Sequence, residues 1–335
     1  MVTVAASWLL GRAIYFYTQG NMLAMLDAEP TSILTSTQLM ESASEKDEPD
    51  LLVQLPIKLL FGGDLMFDRN IRAAMTRDGV DQPLRELTKL FNQYDAVIAN
   101  LEGPITTNPS RSLGSVPGST DNFFFTFEPE IVPMLAANNL RILNLGNNHI
   151  TNFGHDGVEQ TKTALAKDGL SYFGFTSLEV EPAERVHYQQ FGQHQLAFVG
   201  YNQFAVGGFE AALADIAAAT VAAELVVVMP HWGNEYVPEA GAVIQEQAHQ
   251  FIDAGADLII GGHPHVVQQQ ELYRGKKIYY SLGNFVFDQY FSPETQTGLL
   301  VGVEIAPDGQ LIFTEMSIMM LEDGRTVLRE AETAI

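Results

Sequence analysis

Residues 256–265 read ADLIIGGHPH, an apolar run that stops abruptly at two glycines and two histidines. An unbroken apolar run of this length is typical of a strand that is covered on both faces. Taken alone, His263 and His265 would be the surface imidazoles of an ordinary turn. They become candidate metal ligands if other strands in the chain also end in ligand-type side chains.

Five further apolar runs end in the same way, at Gly, Asn, Asp, Glu or His. They are IKLLFGGD (57–64), YDAVIANLEG (94–103), LRILNLGNNH (140–149), ELVVVMPHWG (224–233) and KIYYSLGNF (277–285). Helix-like stretches at 130–139, 158–169 and 241–256 separate some of these runs. Alternating strands and helices predict an α/β fold.

The side chains at the predicted strand ends share one chemistry: they are carboxylates, amides and imidazoles. They comprise Asp64, Glu102, Asn148, His149, His231, His263 and His265. Ligands of open α/β sheets bind beyond the carboxyl ends of the strands, so neighbouring strands would bring these groups to one rim. The sequence therefore predicts a site for one or two divalent metal ions, and the ligand set suits Mn, Zn or Fe equally.

Composition limits the classes of function that remain open. The chain has 335 residues, of which 46% are hydrophobic and 18% charged, as in globular proteins. A formal net charge of −23 argues against a nucleic-acid partner, and an anionic substrate would need a local positive centre such as a metal ion. Because the chain has no cysteine, disulfides, thiolate ligands and a cysteine nucleophile are excluded.

The amino-terminal segment leaves two interpretations open. Residues 2–26 are largely apolar but are interrupted by Arg12, and they are barely long enough for a membrane-spanning helix, which needs about 20 residues. They form either a membrane anchor or an amphipathic helix that packs on the domain. Residues 27–50 resemble a polar linker, so we expect residues 1–50 to precede a domain at 51–335. An anchor would place the protein outside the cytoplasm; the alternative is a cytoplasmic protein.

Two further segments carry structural predictions. Residues 297–321 alternate in strand fashion around Pro307-Asp308-Gly309, which predicts an antiparallel hairpin. Residues 106–130 combine turn residues with an aromatic block and are long for a connection, so we expect a lid over the rim. The aromatic side chains of this block form either the packing face of a strand or a platform for substrate.

The motifs together resemble the CapA family of capsule and poly-γ-glutamate synthesis proteins, relatives of the calcineurin-like metallophosphoesterases. The motifs are GGDLMFDR (62–69), NLEGP (100–104), LGNNHITNFG (145–154), HWGNEY (231–236), GADLIIGGHPHVVQ (255–268) and YSLGNFVFD (280–288). The resemblance implies a fold of two packed β-sheets flanked by helices, a four-layer α/β/β/α sandwich. It also implies a two-metal site on the loops at the strand ends.

The resemblance also implies roles for single residues. Asp64 corresponds to the aspartate of the first metal motif, Glu102 stands at the bridging position, and Asn148 is the metal-binding amide. His149 would protonate the leaving group or steady the transition state. His231 and His263 would complete one metal site, and His265 would belong to the other.

The sequence departs from the superfamily pattern at three positions that affect the site. Glu102 stands where the bridging aspartate is usual, and its longer side chain would change the distance at the bridge. Met66 stands where a histidine ligand is expected, and a thioether is a poor ligand for hard divalent ions. Asn152 stands where an aspartate is usual, which would weaken a contact behind the ligands.

Four more residues are candidates for contacts around the metal ligands. Arg69 could grip an anionic phosphate or carboxylate, or form a salt bridge to a neighbouring acid. Trp232 either lines a pocket or packs under its loop, and Glu235 is a candidate for orienting His231. Asn284 belongs to a turn that closes the rim, where a structural role is favoured over a chemical one.

Two functional hypotheses follow, both in capsule or poly-γ-glutamate biosynthesis. In the first, the protein is a metal-dependent hydrolase that cuts a phosphoester or amide bond in an anionic cell-envelope molecule. In the second, it is a membrane-anchored accessory subunit of polymer assembly and export, working with membrane partners and binding polymer carboxylates without turnover. Met66 favours the second hypothesis, whereas the Asn148-His149 pair and the two histidines at 263 and 265 favour the first.

Overall fold

Strands and helices alternate along much of the chain, as the apolar runs predict. The computed structural model describes residues 55–174 and 182–329. Its strands are β1 (Ile57–Leu65), β2 (Ala96–Leu101), β3 (Leu140–Asn144), β4 (Ser171–Phe173), β5 (Val186–Phe191), β6 (His194–Asn202), β7 (Leu225–His231), β8 (Leu258–Ile260), β9 (Gln270–Tyr273), β10 (Lys276–Tyr279), β11 (Asn284–Val286), β12 (Thr297–Ile305), β13 (Leu311–Met320) and β14 (Thr326–Leu328). Its α-helices are α1 (Arg69–Asp78), α2 (Thr88–Phe91), α3 (Ile131–Ala137), α4 (Gly154–Lys167), α5 (Pro182–Arg185), α6 (Gly208–Ala222) and α7 (Ala242–Asp253). Short 3₁₀ helices lie at Arg85–Leu87 and Thr120–Phe123.

The larger sheet has a parallel half and an antiparallel half. Its order is β14-β13-β12-β1-β2-β3-β4, and β11 pairs with the end of β1. Strands β1 to β4 run parallel, whereas β12, β13 and β14 are antiparallel to their neighbours. Ile305 pairs with Leu311 across the β12–β13 turn, in which Gly309 has a φ of 83°. The hairpin predicted around Pro307-Asp308-Gly309 is therefore confirmed.

The smaller sheet lies later in the chain and has the order β5-β6-β7-β8-β10-β9. Its four central strands are parallel, and β5 and β9 pair antiparallel at the two edges. The parallel strands are apolar along most of their length, as expected for strands covered on both faces.

Alternation of side chains along each strand builds three apolar layers. Leu59 and Phe61 of β1 pack between the two sheets, where Phe198 of β6 meets Phe61 at a ring-centroid distance of 6.5 Å. Leu60 points to the opposite face, into the layer formed with α1, α3 and α4. Helices α6 and α7 cover the outer face of the smaller sheet. The predicted α/β/β/α sandwich is confirmed.

The two sheets bring the carboxyl ends of their parallel strands to the same edge of the molecule. Asp64, at the end of β1, lies 4.0 Å from His231, at the end of β7, measured from carboxylate oxygen to ring nitrogen. The fold thereby gathers the strand-end groups from both halves of the chain.

Several predictions fall on residues outside the described ranges. They include the amino-terminal segment at 1–50, with its anchor and linker, and the exact start of the domain near Leu51. Among residues 55–174 and 182–329, no helix has both the length and the apolar character needed to cross a bilayer.

Candidate metal centre

Five candidate ligands lie together at the shared edge of the two sheets, and all five are buried. Asp64 is the penultimate residue of β1, Glu102 follows β2 directly, and His231 ends β7. His263 and His265 lie just after β8, and both have positive φ, 96° and 58°. Positive φ is uncommon for residues other than glycine, and such strain clusters at functional sites.

Glu102 lies at the centre of this cluster. Its Oε1 atom is 3.6 Å from His265 Nε2, 3.9 Å from His231 Nε2 and 4.0 Å from His149 Nε2. The side chain is fully buried, and neither carboxylate oxygen has a hydrogen-bond partner among the described residues. A buried carboxylate without a partner is costly, so the arrangement fits a cation between Glu102 and the imidazoles.

Asp64 is held in place from two sides. Asn100 Nδ2 donates to its Oδ1 at 2.8 Å, and the backbone N–H of His263 donates to its Oδ2 at 3.0 Å. Gly262 lies so close that a Cβ there would be 2.7 Å from Asp64 Oδ1, which explains why a glycine precedes the first histidine. The carboxylate thus has a fixed position relative to both halves of the site.

The ligand atoms form two groups that share Glu102. One group is Asp64, Glu102 and His231, and the other is Glu102, His263 and His265; within each group the ligand atoms lie within 4.8 Å of one another. Sharing of Glu102 fits the bridging position implied by the resemblance. His263, however, groups with His265, whereas the resemblance paired it with His231. Oxygen and nitrogen donors of this kind fit Mn, Zn or Fe.

Burial disfavours the charged form of each group in the cluster when no cation is present. It raises the pKa of Asp64 to about 6 and, together with the charge of Asp64, raises the pKa of Glu102 well above its usual value. Burial lowers the pKa of His263 to about 4 and the pKa values of His231 and His265 well below 6.5. Neutral imidazole is the form that binds metals, and a bound cation would favour the ionised carboxylates.

His149 lies at the rim of the cluster with one ring nitrogen directed to a protein acceptor. Asn152 Oδ1 accepts a hydrogen bond from the backbone N–H of Phe125, which fixes the orientation of the amide, and it lies 3.2 Å from His149 Nδ1. Nδ1 therefore carries the proton, and Nε2 presents a lone pair. Burial lowers the pKa of His149 to about 4, and the charge of Arg69 acts in the same direction. Asn152 thus keeps the supporting contact that an aspartate would make.

Asn148 contacts the cluster through His231, whose Nε2 lies 2.9 Å from Asn148 Oδ1. Behind it lies an amide network that sequence patterns did not reveal. Asn147 donates to Asn100 Oδ1 at 3.1 Å, and Asn202 donates to the backbone oxygen of Asn147 at 3.0 Å. These contacts join the ends of β2 and β6 to the loop after β3. Each asparagine lies in or just after an apolar run, where nothing distinguishes it from a turn residue.

Arg69 forms a salt bridge, one of the two alternatives that the sequence left open. Its Nη2 pairs with Asp288, and its Nη1 donates to the side chain of Asn122 at 3.0 Å. The guanidinium lies over the rings of Phe125 and Phe287. Only Nε is left without a partner among the described residues. Arg69 therefore supplies positive charge beside the cluster, but its guanidinium is not free to bind an anion with two hydrogen bonds.

Trp232 packs under its loop, the second of the two alternatives that the sequence left open, and Glu235 does not have the position proposed for it. Trp232 is fully buried in the layer below α7, where its Nε1 donates to the backbone oxygen of Tyr280 at 2.8 Å. Glu235 is exposed and does not orient His231, whose ring nitrogens lie beside Asn148 and Asn100. Successive residues of an extended chain point to opposite sides, so His231 facing the site turns Trp232 away from it.

Asn284 and Met66 are both fully buried, with different contacts. Asn284 Oδ1 lies 2.9 Å from His265 Nδ1, so this residue supports a ligand directly. Met66 belongs to the apolar layer with α1, and its sulfur accepts from the backbone N–H of Asp68 at 3.0 Å. The position at which the resemblance implies a histidine ligand is therefore part of the core here.

A cavity of about 520 Å³ opens beside the cluster. Arg69, Tyr236 and seven residues between 112 and 123 line it, so the segment predicted as a lid forms part of its wall. The aromatic block divides: Phe125 and Phe127 are buried packing residues, whereas Phe123 is 45% exposed and lines the cavity. The ring of Tyr236 lies over His265 at 6.1 Å, which joins this cavity to the ligands.

Comparison with known proteins gives a consistent picture over most of the chain. A family model described as bacterial capsule synthesis protein PGA_cap matches residues 58–289. PGA biosynthesis protein CapA of Bacillus subtilis (strain 168) is 30% identical over 263 residues, and the alignment covers 74% of this chain and 68% of that protein. Capsule biosynthesis protein CapA of Bacillus anthracis is 29% identical, covering 78% of this chain and 66% of that protein.

A more distant relative is a probable polyglutamine synthesis accessory protein of Mycobacterium tuberculosis (strain ATCC 25618 / H37Rv), 29% identical over 58% of this chain and 56% of that protein. The chain thus spans about two thirds of the length of the Bacillus relatives. Among solved structures, a hypothetical protein from Thermus thermophilus aligns with a TM-score of 0.48 and 16% identity, covering 78% of this chain and 98% of that chain.

Proposed function

The chain belongs to the bacterial capsule synthesis protein family PGA_cap, and we propose that it is a metal-dependent hydrolase of capsule or poly-γ-glutamate biosynthesis. The proposed substrate is a phosphoester or amide bond in an anionic cell-envelope polymer. The observation that carries the proposal is Glu102, a fully buried carboxylate without a hydrogen-bond partner among the described residues, surrounded by imidazoles. Residues 2–26 would anchor the protein outside the cytoplasm.

The metal-binding residues in this proposal come from both sheets. They are Asp64, Glu102, Asn148, His231, His263 and His265. A divalent ion held by these residues would polarise a phosphoryl or acyl oxygen and lower the pKa of a bound water molecule. It would also supply the local positive charge that a chain of net charge −23 needs to bind an anionic polymer.

His149 carries the proton transfer in this proposal. Because its pKa is lowered to about 4, the ring is neutral at pH 7, with the Nε2 lone pair available 4.0 Å from Glu102 Oε1. Nε2 can therefore accept a proton from the attacking nucleophile and then donate it to the leaving group. Asn152 and the ring of Phe125, at 4.4 Å, hold the imidazole in this orientation.

The test is metal analysis of the purified protein, followed by hydrolysis of p-nitrophenyl phosphoesters with added Mn²⁺. We expect His263→Ala to abolish hydrolysis and His149→Ala to lower kcat by about 10²–10⁴-fold. The control is His249→Ala, expected to stay within a few-fold of the parent protein. His249 is bonded to Glu271 and stacked on Tyr273, away from the ligands.

The outcomes separate the two functional hypotheses. A protein without bound metal, whose residual rate is unchanged by His149→Ala, would contradict the hydrolase. Stoichiometric metal binding that depends on His263, without hydrolysis of any phosphoester or amide offered, would favour an accessory subunit that binds polymer carboxylates without turnover.

A further inference from the structure

His265 begins a chain of hydrogen bonds that leads away from the cluster to the wall of the cavity. His265 Nδ1 lies 2.9 Å from Asn284 Oδ1, and Asn284 Nδ2 donates to Gln289 Oε1 at 3.1 Å. Gln289 Nε2 then donates to the hydroxyl of Tyr236 at 3.1 Å. His265, Asn284 and Gln289 are all buried, so water does not compete for the bonds among these three residues.

One contact fixes the direction of the whole chain. Asn284 Nδ2 also donates to the backbone carbonyl of Thr295 at 2.9 Å. A carbonyl oxygen can only accept, so the amide of Asn284 cannot be reversed without placing two oxygens against each other. Oδ1 must therefore face His265, and it can only accept from Nδ1–H.

The consequence appears at the other nitrogen of the ring. A neutral imidazole carries one proton, so a proton on Nδ1 leaves Nε2 as a lone pair. Nε2 is the atom that lies 3.6 Å from Glu102 Oε1, on the side of the proposed metal site. The opposite tautomer would direct an N–H into that space and prevent coordination through Nε2.

We propose that Asn284 is a positioning residue that holds His265 in the Nδ1–H tautomer, with its own orientation set by Thr295 and Gln289. The hydrogen-bond geometry stands by itself, whereas the use of the free Nε2 for a divalent ion rests on the proposed function. Asn284 acts through His265 and touches neither substrate nor metal.

The decisive measurement is long-range ¹H–¹⁵N NMR of ¹⁵N-histidine-labelled full chain, treated with chelator, at pH 7. The ring signals of His265 are assigned by their loss from the spectrum of His265→Gln. In the parent protein they are expected to show the Nδ1–H tautomer. Asn284→Asp keeps an acceptor at Oδ1 and should keep that tautomer, but it should lower the melting temperature because its second oxygen faces Thr295. Asn284→Leu removes the acceptor and should give the Nε2–H tautomer or a mixture.

A titration with Zn²⁺ alone adds a second readout. We expect Asn284→Leu to weaken Zn²⁺ binding by about 10–100-fold and Asn284→Asp to bind within a few-fold of the parent. Tyr290→Phe is the matched control, because Tyr290 lines the same cavity and its buried hydroxyl has no hydrogen-bond partner among the described residues. If the role of Asn284 were purely structural, Zn²⁺ affinity would fall in step with the melting temperature, and both Asn284 variants would lose Zn²⁺ affinity.

The parent spectrum alone can overturn the proposal, even if Asn284→Leu does not fold: an Nε2–H tautomer for His265 would contradict it. An unchanged Nδ1–H tautomer in folded Asn284→Leu would also contradict it. If the parent protein shows the expected tautomer but binds no Zn²⁺, the metal-dependent function fails and the positioning of His265 stands.

Discussion

Gly262→Ala should disrupt the metal site without replacing any of its ligands. The added Cβ would lie 2.7 Å from Asp64 Oδ1, and ordinary contact begins at 3.4 Å, so the carboxylate must move by about 0.7 Å. Its two hydrogen bonds, 2.8 Å from Asn100 and 3.0 Å from the backbone of His263, cannot both survive that movement. Metal sites tolerate deviations of about 0.2 Å in ligand distance, so the displacement exceeds the tolerance severalfold.

We therefore expect Gly262→Ala to weaken Mn²⁺ binding by at least about tenfold. The crowded core should also lower the free energy of unfolding of the metal-free protein by about 1–3 kcal/mol. Gly262 does not have a positive φ, so alanine adds no backbone strain. Calorimetric titration with Mn²⁺ and urea unfolding measure the two effects.

The control is Gly241→Ala, at a glycine whose Cβ would meet nothing within 4 Å and whose φ is −70°. It should bind Mn²⁺ as the parent protein does. Parent-like Mn²⁺ affinity in folded Gly262→Ala would refute the role of Asp64 as a fixed ligand.

Two further predictions concern pH and the neighbouring tryptophan. The pKa of Asp64 is raised to about 6, and a metal needs the ionised carboxylate, so protons compete with the metal below that pH. We therefore expect the Mn²⁺ dissociation constant to be at least about tenfold higher at pH 5 than at pH 7. Calorimetric titration measures it, and a dissociation constant that does not change with pH would contradict this prediction. Trp232→Phe should lower the free energy of unfolding, measured in urea, by about 1–3 kcal/mol, because it leaves the buried carbonyl of Tyr280 unpaired. The Mn²⁺ affinity should stay within about threefold of the parent protein. A large loss of affinity with intact stability would instead place Trp232 in the site.

Sequence patterns predicted the strand ends because two signals coincide there. An apolar run marks a strand covered on both faces, and its abrupt polar end marks the edge where ligands bind. Asp64, Glu102 and the histidines at 231, 263 and 265 all satisfy this rule and lie together in the structure. The same reasoning gave the α/β layers and the hairpin of β12 and β13.

The hydrogen bonds that orient the candidate ligands could not be predicted from the sequence, because they depend on the direction in which a side chain points after its strand ends. Glu235 comes after Gly233, whose φ of 86° turns the chain outward and leaves the carboxylate exposed. Asn100 lies inside the run of β2, where a buried amide looks like any strand residue until its partner Asp64 is located. Amides also have no charge pattern or periodicity that would distinguish a bonded asparagine from a turn residue.

The most direct test of the account is a crystal structure of the protein soaked in Zn²⁺, with anomalous data collected on both sides of the zinc edge. We expect an anomalous peak about 2.0–2.2 Å from a carboxylate oxygen of Glu102 and from ring nitrogens of His263 and His265, or from Asp64 and His231 on the other side of Glu102. Peaks only at other residues, or no peak beside Glu102 at saturating Zn²⁺, would contradict it.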